Sequence, residues 1–363
     1  MKYRKLGKTD LKVSEIGLGT EHLNGQSRNT VISVIHRAID YGINYFDVPF
    51  AFPDFRDNLY AGFKGRRDEI IICGHICCAM SKNGHYKLSR DVKENTKLFD
   101  DLLKRLHTDY IDIVTIQMVN ELTSYENITQ KGGIVELAYK IKKQGKARYI
   151  GVSGHKFPAV MRTINDAEID VVMFPINVAW DMVPDRREIY KVCAKNKKGL
   201  VAMKIYGGGR VLSKNVTTVK CISYALSKEE VSCALPGVKN LREMDKTLEY
   251  LTASAKERNF KPIIKEAQED LLGNCVYCNH CLPCPQGVDI GSVIRKVDWK
   301  LDRIIPKINY YYPGRLRLSR QNFKSLSKNA SFCNECGACM KRCPFEVNVI
   351  AKMKQAVKLF GTW

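Results

Sequence analysis

The chain has 363 residues, 45 % of them apolar, and a formal charge of +21 at neutral pH. That length holds one large domain and a small one, with apolar content enough for a core. No apolar run nears the roughly 20 residues of a membrane helix, and the start, Met1-Lys2-Tyr3-Arg4-Lys5, lacks the apolar stretch of a secretory signal, so a soluble cytoplasmic protein with no membrane partner is expected.

Residues 3–13 read as a hairpin, with Tyr3–Leu6 and Leu11–Val13 flanking the turn Gly7-Lys8-Thr9-Asp10. A repeating unit follows. Ile16-Gly17-Leu18-Gly19 predicts a strand, and Val31, Val34, Ile35 and Ala38 predict a helix by their i, i+3, i+4, i+7 spacing. Tyr45-Phe46-Asp47-Val48 is the next strand, with a weaker helix at 54–64. Ile70-Ile71-Ile72-Cys73 is the third, and its helix carries Phe99, Leu102, Leu103 and Leu106, with Ser89 placed to cap it. Strands at 111–116, 149–152, 171–174, 200–203 and 231–235 alternate with helices marked by Ile134, Leu137, Ala138 and Ile141, then by Val160 and Ile164, by 185–197, by 215–227, and by Leu241, Met244, Leu248 and Leu251. Eight apolar strands, each followed by an amphipathic helix, predict an α/β fold, a (β/α)8 TIM barrel. A doubly wound open sheet also alternates, but it has fewer strands and a Gly-rich first turn, which is missing here.

The period is lost after Leu251. A barrel over 1–255 is therefore followed by a second domain over 256–363, opening with a linker helix at 256–272 and closing with an amphipathic helix at 349–360. Between lie Tyr310-Tyr311-Tyr312-Pro313-Gly314 and the basic residues Arg315, Arg317, Arg320, Lys324 and Lys328, which pack on the barrel and face water, or contact a partner.

Two cysteine runs dominate this second domain: Cys275, Cys278, Cys281 and Cys284-Pro285, then Cys333, Cys336, Cys339 and Cys343-Pro344. Cysteines at every third position let successive thiolates reach different iron corners of a 4Fe–4S cube, and the proline turns the chain away. The second run matches the bacterial ferredoxin spacing, in which the fourth cysteine ligates the other cluster. The first closes one residue shorter. Cys275, Cys278, Cys281 and Cys343 are thus assigned to one 4Fe–4S cluster, and Cys333, Cys336, Cys339 and Cys284 to the other, in a ferredoxin-like iron–sulfur domain. Structural zinc is the alternative ligand set, though zinc needs no proline-terminated runs of four. A disulfide framework does not suit a large chain without an export signal. Six scattered cysteines (Cys73, Cys77, Cys78, Cys193, Cys221, Cys233) fit a reducing, oxygen-poor interior.

With two oxidised clusters at about −2 each, the charge falls to about +17. The surplus suits an acidic electron carrier such as ferredoxin or flavodoxin. A solvated surface with no partner is equally compatible; a nucleic-acid partner is not expected.

Chemistry in such barrels sits at the carboxyl ends of strands. Those ends carry Gly19, Thr20, Glu21 and His22; Asp47; His75; Gln117; Ser153, Gly154 and His155; Asn177; Lys204, Tyr206 and Gly207–Gly209; and Gly237. Asp47, His75, Gln117 and His155 are the candidate catalytic residues, with a buried structural acid as the alternative for Asp47. The glycine run admits a phosphate or simply turns.

The stretches Gly42-Ile43-Asn44-Tyr45-Phe46-Asp47, Leu106 to Asp112, Ile150 to His155 and Met203 to Gly209 together resemble the aldo-keto reductase superfamily, in its branch with a C-terminal ferredoxin-type domain. The resemblance implies a nicotinamide cofactor, NAD(P)H, across the mouth. Ser153 and Asn177 would hold its carboxamide, Lys204, Tyr206 and Gly207 the pyrophosphate side, and Gly237, Lys239 and Arg242 the adenosine phosphate end. Gly19 and Thr20 join this cofactor set. It also implies an Asp–Tyr–Lys–His tetrad. Asp47 supplies the aspartate, but Phe52, His75 and Gln117 stand where tyrosine, lysine and histidine are expected, with Tyr45 and Tyr60 nearby in sequence. Nicotinamide passes two electrons and a cluster one, an exchange that normally uses a flavin, yet no clear flavin motif is visible. Three functions follow: an iron–sulfur oxidoreductase acting on a small-molecule substrate or second cofactor in one-electron steps; a nicotinamide-dependent carbonyl reductase with a substitute acid; and a non-catalytic electron-relay or sensing subunit.

Overall fold

The computed structural model describes residues 1–81, 84, 86–166, 168–207, 211–213, 215–269, 272–277, 280–301, 323, 326 and 328–361. Cys278, Gly208, Gly209, Tyr310, Tyr311, Tyr312, Arg315, Arg317, Arg320 and Lys324 lie outside the described residues. The chain divides into two units, Met1–Asn177 with Pro184–Lys261 and Val178–Val183 with Pro262–Trp363.

The first unit opens with an antiparallel hairpin, β1 (Tyr3–Lys5) and β2 (Lys12–Ser14). Eight parallel strands follow: β3 (Leu18–Gly19), β4 (Tyr45–Val48), β5 (Ile71–Ile76), β8 (Ile111–Ile116), β9 (Ala147–Ser153), β10 (Val171–Pro175), β11 (Gly199–Met203) and β12 (Val231–Ala234), each bonded to the next in chain order. The two ends of the sheet meet. Gly17 N–H donates to the Ala234 carbonyl at 2.9 Å, Gly19 N–H to Pro236 at 2.8 Å, and Ala234 N–H to Glu15 at 2.8 Å. The sheet therefore curls into the expected (β/α)8 barrel, and no edge is left to pair elsewhere.

Side chains alternate along a strand, so Tyr45 and Asp47 share one face, as do Ile71, Cys73 and His75. Tyr45, Ile71, Cys73, Ile113, Val171, Met173, Val201, Met203, Cys233 and Leu235 form one buried cluster with Leu6, Leu11 and Val13 of the hairpin. The hairpin thus plugs the amino-terminal end of the barrel, leaving the strands' carboxyl ends for a site. The plug depends on Gly7. Its φ is +57°, and a Cβ there would stand 2.2 Å from the Gly199 amide nitrogen, so only glycine fits.

The outer helices bury the stripes expected of them. α1 (Arg28–Asp40) buries Val31, Val34, Ile35 and Ala38 and is capped by Ser27. α2 spans Pro53–Phe63. α3 (Val92–Arg105) is capped by Asp91, which accepts from Glu94 N–H at 2.6 Å. Ser89, expected as the cap, lies too far upstream; its hydroxyl accepts from Asp91 N–H at 3.3 Å and donates to the Glu94 carboxylate. A hairpin, β6 (Cys78–Met80) and β7 (Tyr86–Leu88), after β5, and a helix, α4 (Leu122–Thr129), after β8 are additional to the eightfold repeat. Strands of three residues are too short to show a period. The remaining helices are α5 (Ile134–Lys143), α6 (Phe157–Ile164), α7 (Glu188–Lys195), α8 (Thr218–Leu226) and α9 (Leu241–Leu248).

The single linker helix expected at 256–272 is two helices, α10 (Ala255–Arg258) and α11 (Lys261–Glu269). Asn259 is extended (φ −69°, ψ 102°), and Pro262 suits the first turn of a new helix because it needs no amide partner there.

In the second unit α12 (Ile290–Lys300) buries Ile290, Val293, Ile294 and Val297, and α14 (Val349–Phe360) buries Val349, Met353, Ala356 and Phe360, with α13 (Ala338–Arg342) before it. The entries into α12 and α14 are copies of one turn. Gly287 (φ +74°) donates to the Cys284 carbonyl at 2.8 Å, and Glu346 (φ +52°) to that of Cys343 at 3.2 Å. Asp289 and Asn348 then cap the two helices. Upstream, Tyr277 (φ +57°) and Glu335 (φ +59°) occupy matching left-handed positions.

Candidate functional site

Asp47 ends the inner face of β4 and His75 that of β5. His75 Nε2 lies 2.7 Å from Asp47 Oδ1, and their side chains are only 3 % and 9 % exposed. Burial alone would lower the imidazole pKa. The Asp47 charge and hydrogen bond, with Cys73 adding to them, outweigh burial and raise it to about 10. The Asp47 partner thus favours the protonated form of the buried ring. Beneath it Cys73 Sγ lies 3.1 Å from Thr115 Oγ1. Thr20 Oγ1 donates to the Asp47 carbonyl at 2.6 Å and so ties the first strand end to the second.

Tyr45 is on this inner face. Burial, then the Cys73 and Asp47 charges, raise its phenol well above the ordinary value. Tyr60 is placed elsewhere: it stacks at 4.1 Å on His107, in the turn that leads into the amino end of β8. Phe52 caps α2 without a side-chain hydrogen bond and lies 5.2 Å from the Phe50 ring. Gln117 follows β8; its carbonyl accepts from Arg90 Nη1 at 2.9 Å, and its Oε1 is buried with no hydrogen-bond partner.

A second group lies at the ends of β3, β9 and β11. Lys204 Nζ pairs with Glu21 Oε2 at 3.1 Å. Lys204 first, then His22 and His155 hold the Glu21 carboxyl down at about 2 against the opposing effect of burial. These four residues therefore converge. His155 N–H donates to Asn120 Oδ1 at 2.7 Å, and its carbonyl accepts from the buried Arg186 at 3.3 Å. Ser153 Oγ accepts from Met118 N–H at 3.2 Å, and Asn177 Nδ2 donates to the Lys204 carbonyl at 2.9 Å. Gly207 closes a tight turn onto that same carbonyl at 2.7 Å.

The other cofactor candidates have local partners. Tyr206 Oη is 3.2 Å from Thr247 Oγ1 on α9, and Lys239 Nζ is 3.1 Å from Glu243. Arg242 is exposed. His22 lies over Gly237, where a Cβ would approach its ring to 2.6 Å. Gly19 is a barrel-closing residue. Cys73 and Thr115 also belong to the site, and i, i+2 alternation with His75 and Gln117 is the sequence signal for both. Arg90, Asn120 and Arg186 act through main-chain contacts that carry no sequence signal.

In the second unit the two runs interleave. One cavity is lined by Cys333, Cys336, Cys339 and Cys284 with Val288, Ile290 and Met353. Another is lined by Cys275, Cys281 and Cys343 with Ile294, Phe345 and Val347. Each holds cysteines from one run and the final cysteine of the other. The described cysteines are all free thiols. Tyr277 N–H donates to Cys275 Sγ at 3.4 Å, and Arg342 Nη2 bridges the carbonyls of Cys281 and Pro283 at 2.7 and 2.6 Å.

The first unit is thus a closed parallel barrel with its polar residues gathered at the strands' carboxyl ends. The chain belongs to the aldo/keto reductase family, whose family model matches residues 15–220. It is 30 % identical over 191 residues to an uncharacterized oxidoreductase of Bacillus subtilis, covering 51 % of this chain and 59 % of that protein. It is 28 % identical over 187 residues to L-galactose dehydrogenase of Arabidopsis thaliana, covering 47 % and 54 %. The chain therefore spans just over half the length of these curated relatives. An aldo-keto reductase from Bacillus halodurans in its holo form has the same fold, with a TM-score of 0.62 at 20 % identity over 74 % of this chain and 96 % of that one. Among the described residues no helix is long and apolar enough to cross a membrane.

Proposed function

We propose that the protein is an iron–sulfur oxidoreductase on an aldo-keto reductase barrel, acting on a small-molecule substrate or second cofactor at the barrel mouth. The observation that carries this reading is the pair of cysteine-lined cavities, each drawing its last cysteine from the other run. The donor set fits two 4Fe–4S clusters: free thiols, apolar walls, and an amide donating to a ligand sulfur. Cys278 completes the second set by its place in the run. When bound, such clusters supply or accept electrons singly. The excess of basic residues suits an acidic carrier, of the ferredoxin or flavodoxin kind, as electron partner.

The barrel's own residues handle the proton. Phe52, which stands where the family's tyrosine is expected, has none to give. His75 is held protonated by Asp47, and its Nδ1, the nitrogen that Asp47 does not engage, is buried with no hydrogen-bond partner. That nitrogen is the proposed donor, with Asp47 fixing the ring and Gln117 and His155 lining the approach. Anaerobic purification with iron, sulfide and EPR analysis tests the cluster reading. About eight irons and eight sulfides per chain are expected for two cubes, and zinc in their place refutes it.

The protonated His75 also favours a second reading, an NAD(P)H-dependent carbonyl reductase with imidazolium replacing the phenol, in which Ser153, Asn177 and the Lys204–Gly207 turn hold nicotinamide. Saturable loss of reduced-nicotinamide absorbance with a carbonyl substrate would select it.

A further inference from the structure

Three chemically different donors meet inside the barrel. The Asp47 carboxylate, the Cys73 thiol and the His75 imidazole each offer an atom, all within 4.8 Å of one another, and all three residues are buried. Rigid neighbours place them: β4 and β5 pair in register with Asp47 opposite Cys73, and His75 follows two residues on. Hydrogen bonding among these groups leaves polar atoms over. His75 Nδ1, Tyr45 Oη and Gln117 Oε1 are buried without a hydrogen-bond partner, a state few buried polar atoms are left in.

We infer that Asp47, Cys73 and His75 form a binding site for one divalent transition-metal ion, zinc by donor chemistry. Sulfur, nitrogen and oxygen donors together suit zinc, whereas magnesium and calcium take oxygen alone. Zinc bonds of about 2.0–2.3 Å place tetrahedral ligand atoms roughly 3.3–3.8 Å apart, so the present spacing needs side-chain adjustment, and binding releases a proton from His75 and from the Cys73 thiol. Three protein ligands leave one position. Tyr45 Oη lies beside the trio, close enough for Cys73 and Asp47 to act on it, and Gln117, whose Oε1 is also unpartnered, follows the strand bonded to β5.

The inference rests on the proposed function in one respect: the ion takes the carboxylate and imidazole that this reading assigns to proton transfer, so metal binding and turnover exclude each other. Zinc is then an inhibitor that acts inside the barrel, away from the cysteine runs.

The test uses the anaerobic full-length protein, cleared of loosely bound metal and titrated with Co²⁺ as a spectroscopic substitute for zinc. Wild type is expected to bind one equivalent with a thiolate-to-cobalt absorption band. Cys73→Ser is expected to lose that band at unchanged iron content, while Cys221→Ser, which alters a buried helix cysteine outside the trio, keeps it. Asp47→Asn, nearly isosteric, is expected to bind at least tenfold more weakly. Identical cobalt spectra and stoichiometry in wild type and Cys73→Ser overturn the inference; should Cys73→Ser fail to fold, undiminished affinity in Asp47→Asn overturns it. The wild-type-minus-Cys73→Ser difference isolates this site whether or not the cysteine runs hold iron, so failure here is separate from failure of the cluster reading.

Discussion

At the barrel mouth, Asp47, His75, Ser153 and Lys204 come from four strands spread over more than 150 residues of chain, and what unites them is closure of the sheet. In the second unit the cysteines of each run lie three or four residues apart, and the turns that aim them are local: Gly287 and Glu346, Tyr277 and Glu335 adopt paired backbone conformations. Only the exchange of Cys284 and Cys343 is long-range. A site built from local spacing keeps its donor types in view along the chain. A site built from strand ends can hold one residue type or another without disturbing the scaffold, because each strand contributes a single side chain to it.

The exchanged cysteines carry the largest expected effect. Cys284→Ser is expected to remove the iron held with Cys333, Cys336 and Cys339, leaving about four irons per chain, half of a two-cube total. Cys343→Ser should remove the other set. EPR of the reduced variants distinguishes crossed from uncrossed ligation, because uncrossed ligation predicts the opposite pairing of variant and lost signal.

In the barrel, His75→Ala is expected to lower turnover by about 10²–10⁴-fold, the span of one acid–base group, with iron content unchanged. Parallel loss of iron would mean that the two sites are not separable as described.

The buried pair also sets a pH dependence. Since the folded-state pKa of His75 is raised from 6.5 to about 10, its contribution to stability is complete below pH 6.5. It fades as pH rises from there to about 10 and is absent above. Denaturant midpoints across this window should fall for wild type and stay flatter for His75→Gln.

The smallest effect belongs to the rim. Glu21 and Lys204 are 43 % and 34 % exposed, so solvent screens their attraction and Glu21→Gln should cost no more than about 1 kcal/mol. The lowered Glu21 pKa makes its contribution one that is present above pH 4.5 and lost as pH falls toward 2. If Glu21→Gln strengthens nicotinamide binding, the freed Lys204 ammonium serves a phosphate; no change would assign the pair to the scaffold.

Long periodic elements were legible in the chain itself. The strand at 111–116 and the helix at 349–360 coincide with β8 and α14, because each buries a continuous run or stripe. The β6–β7 hairpin was not legible, nor was the break at Asn259, since three-residue strands and a single extended residue leave no period. α12 left a signal in Ile290, Val293, Ile294 and Val297 that the neighbouring cysteines overshadowed. Asp47 and His75 were readable as strand-end polar residues with Asp47 bracing the ring, and the register of β4 on β5 brings them to 2.7 Å.

By itself the sequence determined the alternation of strands and helices, the two cysteine runs and the residue types at each strand end, because periodicity and spacing are properties of one segment at a time. The ferredoxin spacing also carried the exchange of Cys284 and Cys343 between the runs. The tertiary structure alone decided that the sheet closes between Gly17 and Ala234 and that Cys73 lies beneath the Asp47–His75 pair. Those facts depend on register between segments far apart in the chain, and register follows from how many side chains pack at once.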